Sequence, residues 1–211
     1  MATASQSLFN MTVASDNAGG NQGLIMPKLA FRFRANFLNF GLGNSLELTK
    51  QVVDCSRPSV SFAEITLPVY NSTMYLAGKH TWEMFTIKIK DDANGAVSKV
   101  IGQQLQKQFD FVEQASAAAG QDYKFQINLE MLDGGNGTSA VGVLETWELY
   151  GCFLQKASYG ALSYATNEPV QIELSIRFDN AIQSPLSGGV GTSVGRILSG
   201  DSATGIGSGQ A

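Results

Sequence analysis

The chain has 211 residues, 44% hydrophobic and only 15% charged, with a net charge of -4 and a pI near 5.0. That length suffices for one sizeable core and one domain, and the acidic balance excludes a protein that grips nucleic-acid phosphates with clustered Lys and Arg. So low a charge density commits less of the surface than usual to solvation by ions, as expected of a surface buried in an assembly.

Residues 1–27 are rich in Ala, Ser, Asn, Gly and Gln and read as an N-terminal arm, in which Leu8, Phe9, Met11 and Val13 are able to order against a neighbour. Residues 28–38 alternate cleanly, with Leu29, Phe31, Phe33, Ala35 and Phe37 on one face, so they predict the first core strand. After a GLGNS turn, residues 46–54 (LELTKQVVD) predict a second strand leading to Cys55, and Arg57-Pro58 breaks it. Residues 59–66 predict a third.

Residues 66–92, TLPVYNSTMYLAGKHTWEMFTIKIKDD, have two unlike halves. Leu67-Pro68 opens an irregular excursion and Ala77-Gly78 closes it, which predicts a defined loop, because Pro68 cannot donate to a ladder and Gly78 adopts angles other residues avoid. A strand follows, with Phe85, Ile87 and Ile89 inward and Met84, Thr86, Lys88 and Lys90 outward.

The period then switches. Val97, Val100, Ile101, Leu105, Phe109 and Val112 recur at helical spacing, predicting one amphipathic helix over about 95–118, capped by Asp91, Asp92 or Asn94 and ended by Gly120. Residues 124–132 place Phe125, Ile127, Leu129 and Met131 against Lys124, Gln126, Asn128 and Glu130, and the DGGNGT run at 133–138 predicts a hairpin. The long strand beyond it has apolar residues on both parities, which predicts cover on both faces for part of its length. Residues 169–178 predict the last strand, with Val170, Ile172, Leu174, Ile176 and Phe178 inward, and 181–211 a Gly- and Ser-rich arm. The predicted class is mainly β (α+β): an antiparallel sandwich or barrel-like core over 28–180 with one flanking helix.

Motifs for chemistry are absent. The tail segment GGVGTSVGR lacks the Lys, the preceding strand and the following helix of a phosphate loop, and DDANG has Ala96 where a calcium ligand is needed. Cys55, Cys152 and His80 cannot supply four zinc ligands, and both cysteines are expected to be reduced and buried. His80 is the single imidazole and no GxSxG elbow accompanies it, so an exposed or interface histidine is expected. Glu145 and Glu148, three apart on a strand, lie on opposite faces and form no catalytic pair. No catalytic residue, metal or cofactor is assigned, and no enzyme activity is expected. No window approaches the roughly 18 apolar residues that span a bilayer, so no membrane insertion is expected; the first residues lack a secretion signal, which predicts folding in a cytoplasm.

The Leu67-Pro68 break, Asn71, the Ala77-Gly78 close, the strand from Thr81 to Lys90, and Asp91-Asp92 leading into one helix together resemble the tail tube protein of contractile-tailed bacteriophages, within the tail tube and Hcp-like superfamily. The resemblance covers about 28–180 and is tight over 66–92. It departs from the family where Trp82 and Phe85 exchange an aromatic and a Trp, and in the long arms.

The resemblance implies a structural virion protein whose hexameric rings, with strands continuing into a shared ring barrel, stack into the inner tube of a contractile tail. Ring closure removes strand edges and head-to-tail stacking makes a filament. Its implied partners are copies of itself, the tail sheath protein, the tape-measure protein, baseplate and tail-terminator proteins, and genome DNA passing without sequence-specific binding. The implied location is the virion tail, assembled in the bacterial host cytoplasm. Within it, Leu67, Pro68, Tyr70, Asn71, Met74, Tyr75, Ala77 and Gly78 are candidates for contacts between rings, and Gln126, Asn128 and Glu130 for the lumen, where negative groups limit sticking of phosphates. The alternative is the tube of a bacterial contractile injection or secretion system, carrying protein instead of DNA; a more distant one is a β-sandwich carbohydrate-binding module or enzyme.

Overall fold

The computed structural model describes residues 28–42, 46–135, 141–165, 167–184 and 189–191. The arm expected at 1–27, residues 136–140 of the expected hairpin loop, most of the GGVGTSVGR segment and all of 192–211 lie outside the described residues. In chain order the elements are β1 (Phe33–Leu38), α1 (Leu46–Gln51), β2 (Val52–Cys55), β3 (Val60–Val69), β4 (Ser72–Trp82), β5 (Phe85–Lys90), α2 (Ala96–Gln108), β6 (Phe109–Asp110), β7 (Ala115–Ser116), α3 (Gly120–Tyr123), β8 (Phe125–Leu132), β9 (Val143–Ser158), β10 (Gln171–Arg177) and β11 (Asn180–Ser184). The molecule is mainly β and its described pairings are all antiparallel.

The large sheet runs β1-β8-β9-β10-β5-β2, with β11 also on β9. Sixteen-residue β9 is its axis: the first half lies between β8 and β11, and the second pairs with β10. Glu145, Trp147 and Leu149 point inward along the first half, but Cys152 and Leu154 do so along the second. The switch is made at Gly151, whose φ of +66° inserts an extra residue opposite β8, so that Phe125 faces Cys152 while Ile127 faces Leu149. A bulge, and not cover on both sides, explains why apolar residues occupy both parities. Gly is required there, since a Cβ would run into the Asp179 carboxylate.

The core gathers Phe85, Ile87 and Ile89 from β5, Ile172, Leu174 and Ile176 from β10, and Phe125, Ile127 and Leu129 from β8, with Ile87 directly opposite Leu174 and Ile89 opposite Ile172. Val97 and Ile101 of α2 close it on one side. Buried Gln104 joins this helix to the loops around it, accepting from the Gly41 N–H at 2.9 Å and donating to the Tyr123 carbonyl at 2.6 Å.

Four local expectations are corrected. Phe31, expected in the core, is 73% exposed, because the chain turns at residues 29–32 through an Arg32 N–H to Leu29 carbonyl bond before β1 begins; Phe33 is half-buried against the core. The segment 46–51 is helix and only 52–55 is strand: over so short a stretch alternation cannot decide, and Leu, Glu, Lys and Gln are good helix formers. The helix expected to 118 ends at Gln108, where the Asp110 carboxylate accepts from the N–H groups of Val112 and Glu113 and sets a turn in its place, leaving Val112 exposed. Finally, β11 carries the sheet into the segment assigned to the C-terminal arm and buries Ala181. At the other end of α2, Gly95 occupies the cap position, and the Asp92 carboxylate accepts from the Val97 N–H at 3.1 Å.

Candidate assembly surface

The stretch expected as an irregular loop is a β-hairpin. β3 and β4 pair from Val60 opposite Trp82 to Val69 opposite Ser72, and Tyr70-Asn71 is the two-residue turn. Pro68 is compatible with this ladder: Val69 and Ser72 flank the turn as the hydrogen-bonded pair, so the next pair, Pro68 opposite Thr73, is of the kind that exchanges no N–H bonds. Gly78 sits at a bulge between Phe62 opposite His80 and Glu64 opposite Ala77, where a Cβ would lie 2.9 Å from the Ala63 carbonyl oxygen. Its smallness, and not a positive φ, is what the site uses.

These two strands pair with each other and, among the described residues, with no other strand. Ile65, Leu67 and Val69 share one face with Met74 and Leu76, and all five are 40–51% exposed. The opposite face carries Glu64, Thr66, Pro68, Thr73, Tyr75 and Ala77, and Tyr70 stands fully exposed at the tip. A two-stranded ribbon has marginal stability by itself, and a half-exposed apolar face on one is a candidate interaction surface. The eight candidates named from sequence therefore lie together on one hairpin: Leu67 and Met74 on its apolar face, Pro68, Tyr75 and Ala77 on the other, Tyr70 and Asn71 at its turn, and Gly78 at its bulge.

At the root of the hairpin Trp82 packs on Phe178 with ring centroids 5.5 Å apart, and exposed His80 lies between Phe62 and Trp82, 6.3 Å from each. His80 is part of an aromatic row, and among the described residues no group of three or more His, Cys, Asp or Glu side chains could hold a metal ion. The chain leading into β3 is tied to the sheet twice. Ser56 exchanges hydrogen bonds with Thr86, and the Arg57 guanidinium reaches Glu145 at 2.7 Å.

Glu145 is a group that sequence reasoning missed. It is 2% exposed, and its Oε1 accepts from Arg57, from the Trp147 indole N–H at 2.6 Å and from the Gln183 amide at 2.7 Å, while Oε2 accepts from the Lys28 ammonium. Burial pushes its carboxyl up, but the Lys28, Trp147 and Gln183 hydrogen bonds and the Arg57 charge outweigh this and hold it at about 2. The available signal was position: Glu145 shares a parity with Trp147 and Leu149, where an apolar residue belongs.

Gln126, Asn128 and Glu130 lie half-buried on the face of β8 that points away from the core. Asn128 is flanked by Asn36 of β1 and Glu148 of β9, and Glu130 by Arg34 and Thr146. Arg34 pairs with Glu130 at 2.5 Å, the Gln126 amide donates to Asn128 at 3.0 Å, and the Tyr150 hydroxyl donates to Glu148. The result is a polar surface over three strands with two carboxylates to one guanidinium.

No protein-family model matches the chain, and no curated protein matches it in sequence. Its likeness is to solved structures. A chain of the anti-feeding prophage tube-terminating cap matches with a TM-score of 0.59 at 10% identity, covering 82% of this chain and 100% of that one. A chain of the sheath/tube terminator of an extracellular contractile injection system, PVC, gives 0.55 at 13% identity, covering 77% and 100%. A chain of the sheath-tube complex of the same kind of system gives 0.53 at 12%, covering 76% and 93%. At these identities the likeness establishes the fold: the chain is built as components of contractile tubes and their caps are built, which is the architecture that the 66–92 stretch resembles.

Proposed function

We propose that this protein is a non-enzymatic structural subunit of the inner tube of a contractile tail, in which hexameric rings stack into a conduit for the tape-measure protein and genome DNA inside a sheath. The observation that carries this reading is the β3–β4 hairpin, whose apolar face is about half exposed and whose strands pair with no other strand among the described residues. A subunit so built is completed by another copy, and a head-to-tail contact of this kind propagates into a filament. The polar face bearing Gln126, Asn128 and Glu130 is assigned to the lumen, where its excess of carboxylates repels phosphates. Sheath, baseplate and tail-terminator proteins are the further partners of such a tube, and the virion tail its location.

A second reading, the tube of a contractile injection system that carries protein, is favoured by the nature of the similar structures. Adjacent capsid and tape-measure genes separate the phage tail from it.

Electron microscopy of the purified protein tests the shared part. Long hollow rods are expected; single rings that do not stack would assign a cap, and uniform monomers would overturn assembly altogether. The double substitution Leu67→Ser with Met74→Ser is expected to leave the subunit folded, because both side chains are about half exposed and outside the core, and to abolish the rods. A map placing Gln126, Asn128 and Glu130 on the outer wall would refute the lumen assignment.

A further inference from the structure

Glu145 lies where a β-strand asks for an apolar side chain, and burying a carboxylate there costs free energy that a well-packed apolar residue would not. A buried ion pair adds little stability over a well-packed apolar residue, and in some proteins such a pair specifies a geometry instead. The charged groups that meet this carboxylate show which geometry that is. Lys28 and Arg57 are both about half exposed, so neither needs Glu145 for its own solvation. Arg57 stands three residues before β3, in the connection through which the hairpin leaves the sheet, and Lys28 stands at the start of the described chain.

The remaining ties at the root are core packing of Trp82, the two-residue link from β4 to β5, and backbone bonds beside β5. The Glu83 N–H to Ser59 carbonyl bond, 2.9 Å long, joins the two root segments to each other and not to the sheet. Ser56 is held in line with β5, one residue before Arg57. Trp82 rests on Phe178 by ring contact, and its buried indole N–H has no hydrogen-bond partner among the described residues. Arg57 to Glu145 is thus the directional contact between the hairpin root and β9, and Trp147 and Gln183 fix the carboxylate that receives it.

We infer that Glu145 is the positioning residue of the hairpin: through Arg57 it sets the angle at which the bare apolar face is presented to the next subunit. This deepens the assembly reading and is testable without it. Single-molecule energy transfer at picomolar concentration keeps subunits apart, with dyes at Asn71→Cys on the hairpin turn and Lys156→Cys on β9. The background is Cys55→Ser, Cys152 being fully buried in the core. One narrow population is expected for the wild-type contact, and a broadened or displaced one for Arg57→Gln, whose side chain is about half exposed and outside the core, and for Glu145→Gln. A control pair at Lys99→Cys and Lys156→Cys is expected to be unchanged in both. The inference is overturned if the hairpin population is already broad with Arg57 and Glu145 intact, if Arg57→Gln leaves it unaltered, or if the control pair broadens with it, which would mean general loosening. Rod formation by the wild type reports separately on the assembly reading.

Discussion

Among single residues, burial and not hydrophobicity decides the cost of a change. Ile87 is fully buried opposite Leu174, so Ile87→Ala is expected to lower the unfolding free energy by about 2–5 kcal/mol. Phe31, equally hydrophobic, lies in water with the Arg32 guanidinium 5.5 Å from its ring centroid, and Phe31→Ala is expected to cost less than about 1 kcal/mol. Denaturant titrations of the two variants compare them directly. Glu145 adds a pH dependence of defined sign. Its carboxyl is lowered in the folded state from 4.5 to about 2, so its contribution is fully present above the unfolded value and is lost as pH falls through the folded one. The melting temperature of Glu145→Gln should therefore lie furthest below wild type near neutrality, and the gap should close between pH 4.5 and 2; a gap independent of pH would refute the charge as its source.

At the scale of elements, bends in strands do the shaping. Gly151 lets β9 serve two sets of neighbours, pairing with β11 before the bulge and β10 after it while β8 spans the bulge. Gly151→Ala forces a Cβ into the left-handed region and against Asp179, whose carboxylate is paired with Lys124. It is expected to destabilise the subunit by about 1–3 kcal/mol in denaturant titrations; a neutral outcome would mean that the bulge can migrate. The bulge at Gly78 acts within the hairpin, where the apolar residues beyond it, Ile65 to Val69 and Met74 to Leu76, lie on the face opposite to Val60, Phe62 and Trp82. The root thus turns its aromatic side toward Phe178 while the outer half carries its half-exposed apolar residues on the opposite face.

For the whole molecule, the described body consists of a sheet with α2 against its core and a hairpin standing off it, and the C-terminal β11 belongs to the body. It covers one edge of β9, buries Ala181 and supplies Gln183 to Glu145. A chain stopped after Asn180 is expected to unfold at a clearly lower denaturant concentration than one stopped after Gly191; equal midpoints would show that β11 is dispensable. Among the described residues the sheet still presents one unpaired side on each of β1, β2 and β11. Exposed strand edges invite pairing, and closing such edges between copies is how a ring of subunits would remove them.

Where side-chain period and backbone chemistry agree, the sequence by itself determined the outcome. The strict alternation in 85–90, 125–132 and 171–177 makes the strands that carry the core, and the helical spacing from Val97 to Leu105 makes α2, because burial of a single face leaves only one register open to each. The Leu67-Pro68 and Ala77-Gly78 breaks likewise set one segment apart, though as a loop where the structure has a hairpin. Only the tertiary structure decided the rest. The pairing of β3 with β4 accommodates Pro68 and Gly78, which read locally as breaks, the parity switch at Gly151 depends on β8 and Asp179 across the sheet, and the place of Glu145 depends on donors 28, 57 and 183, far away in the chain. Each of these is set by contacts between distant segments, which a local pattern of residues does not encode.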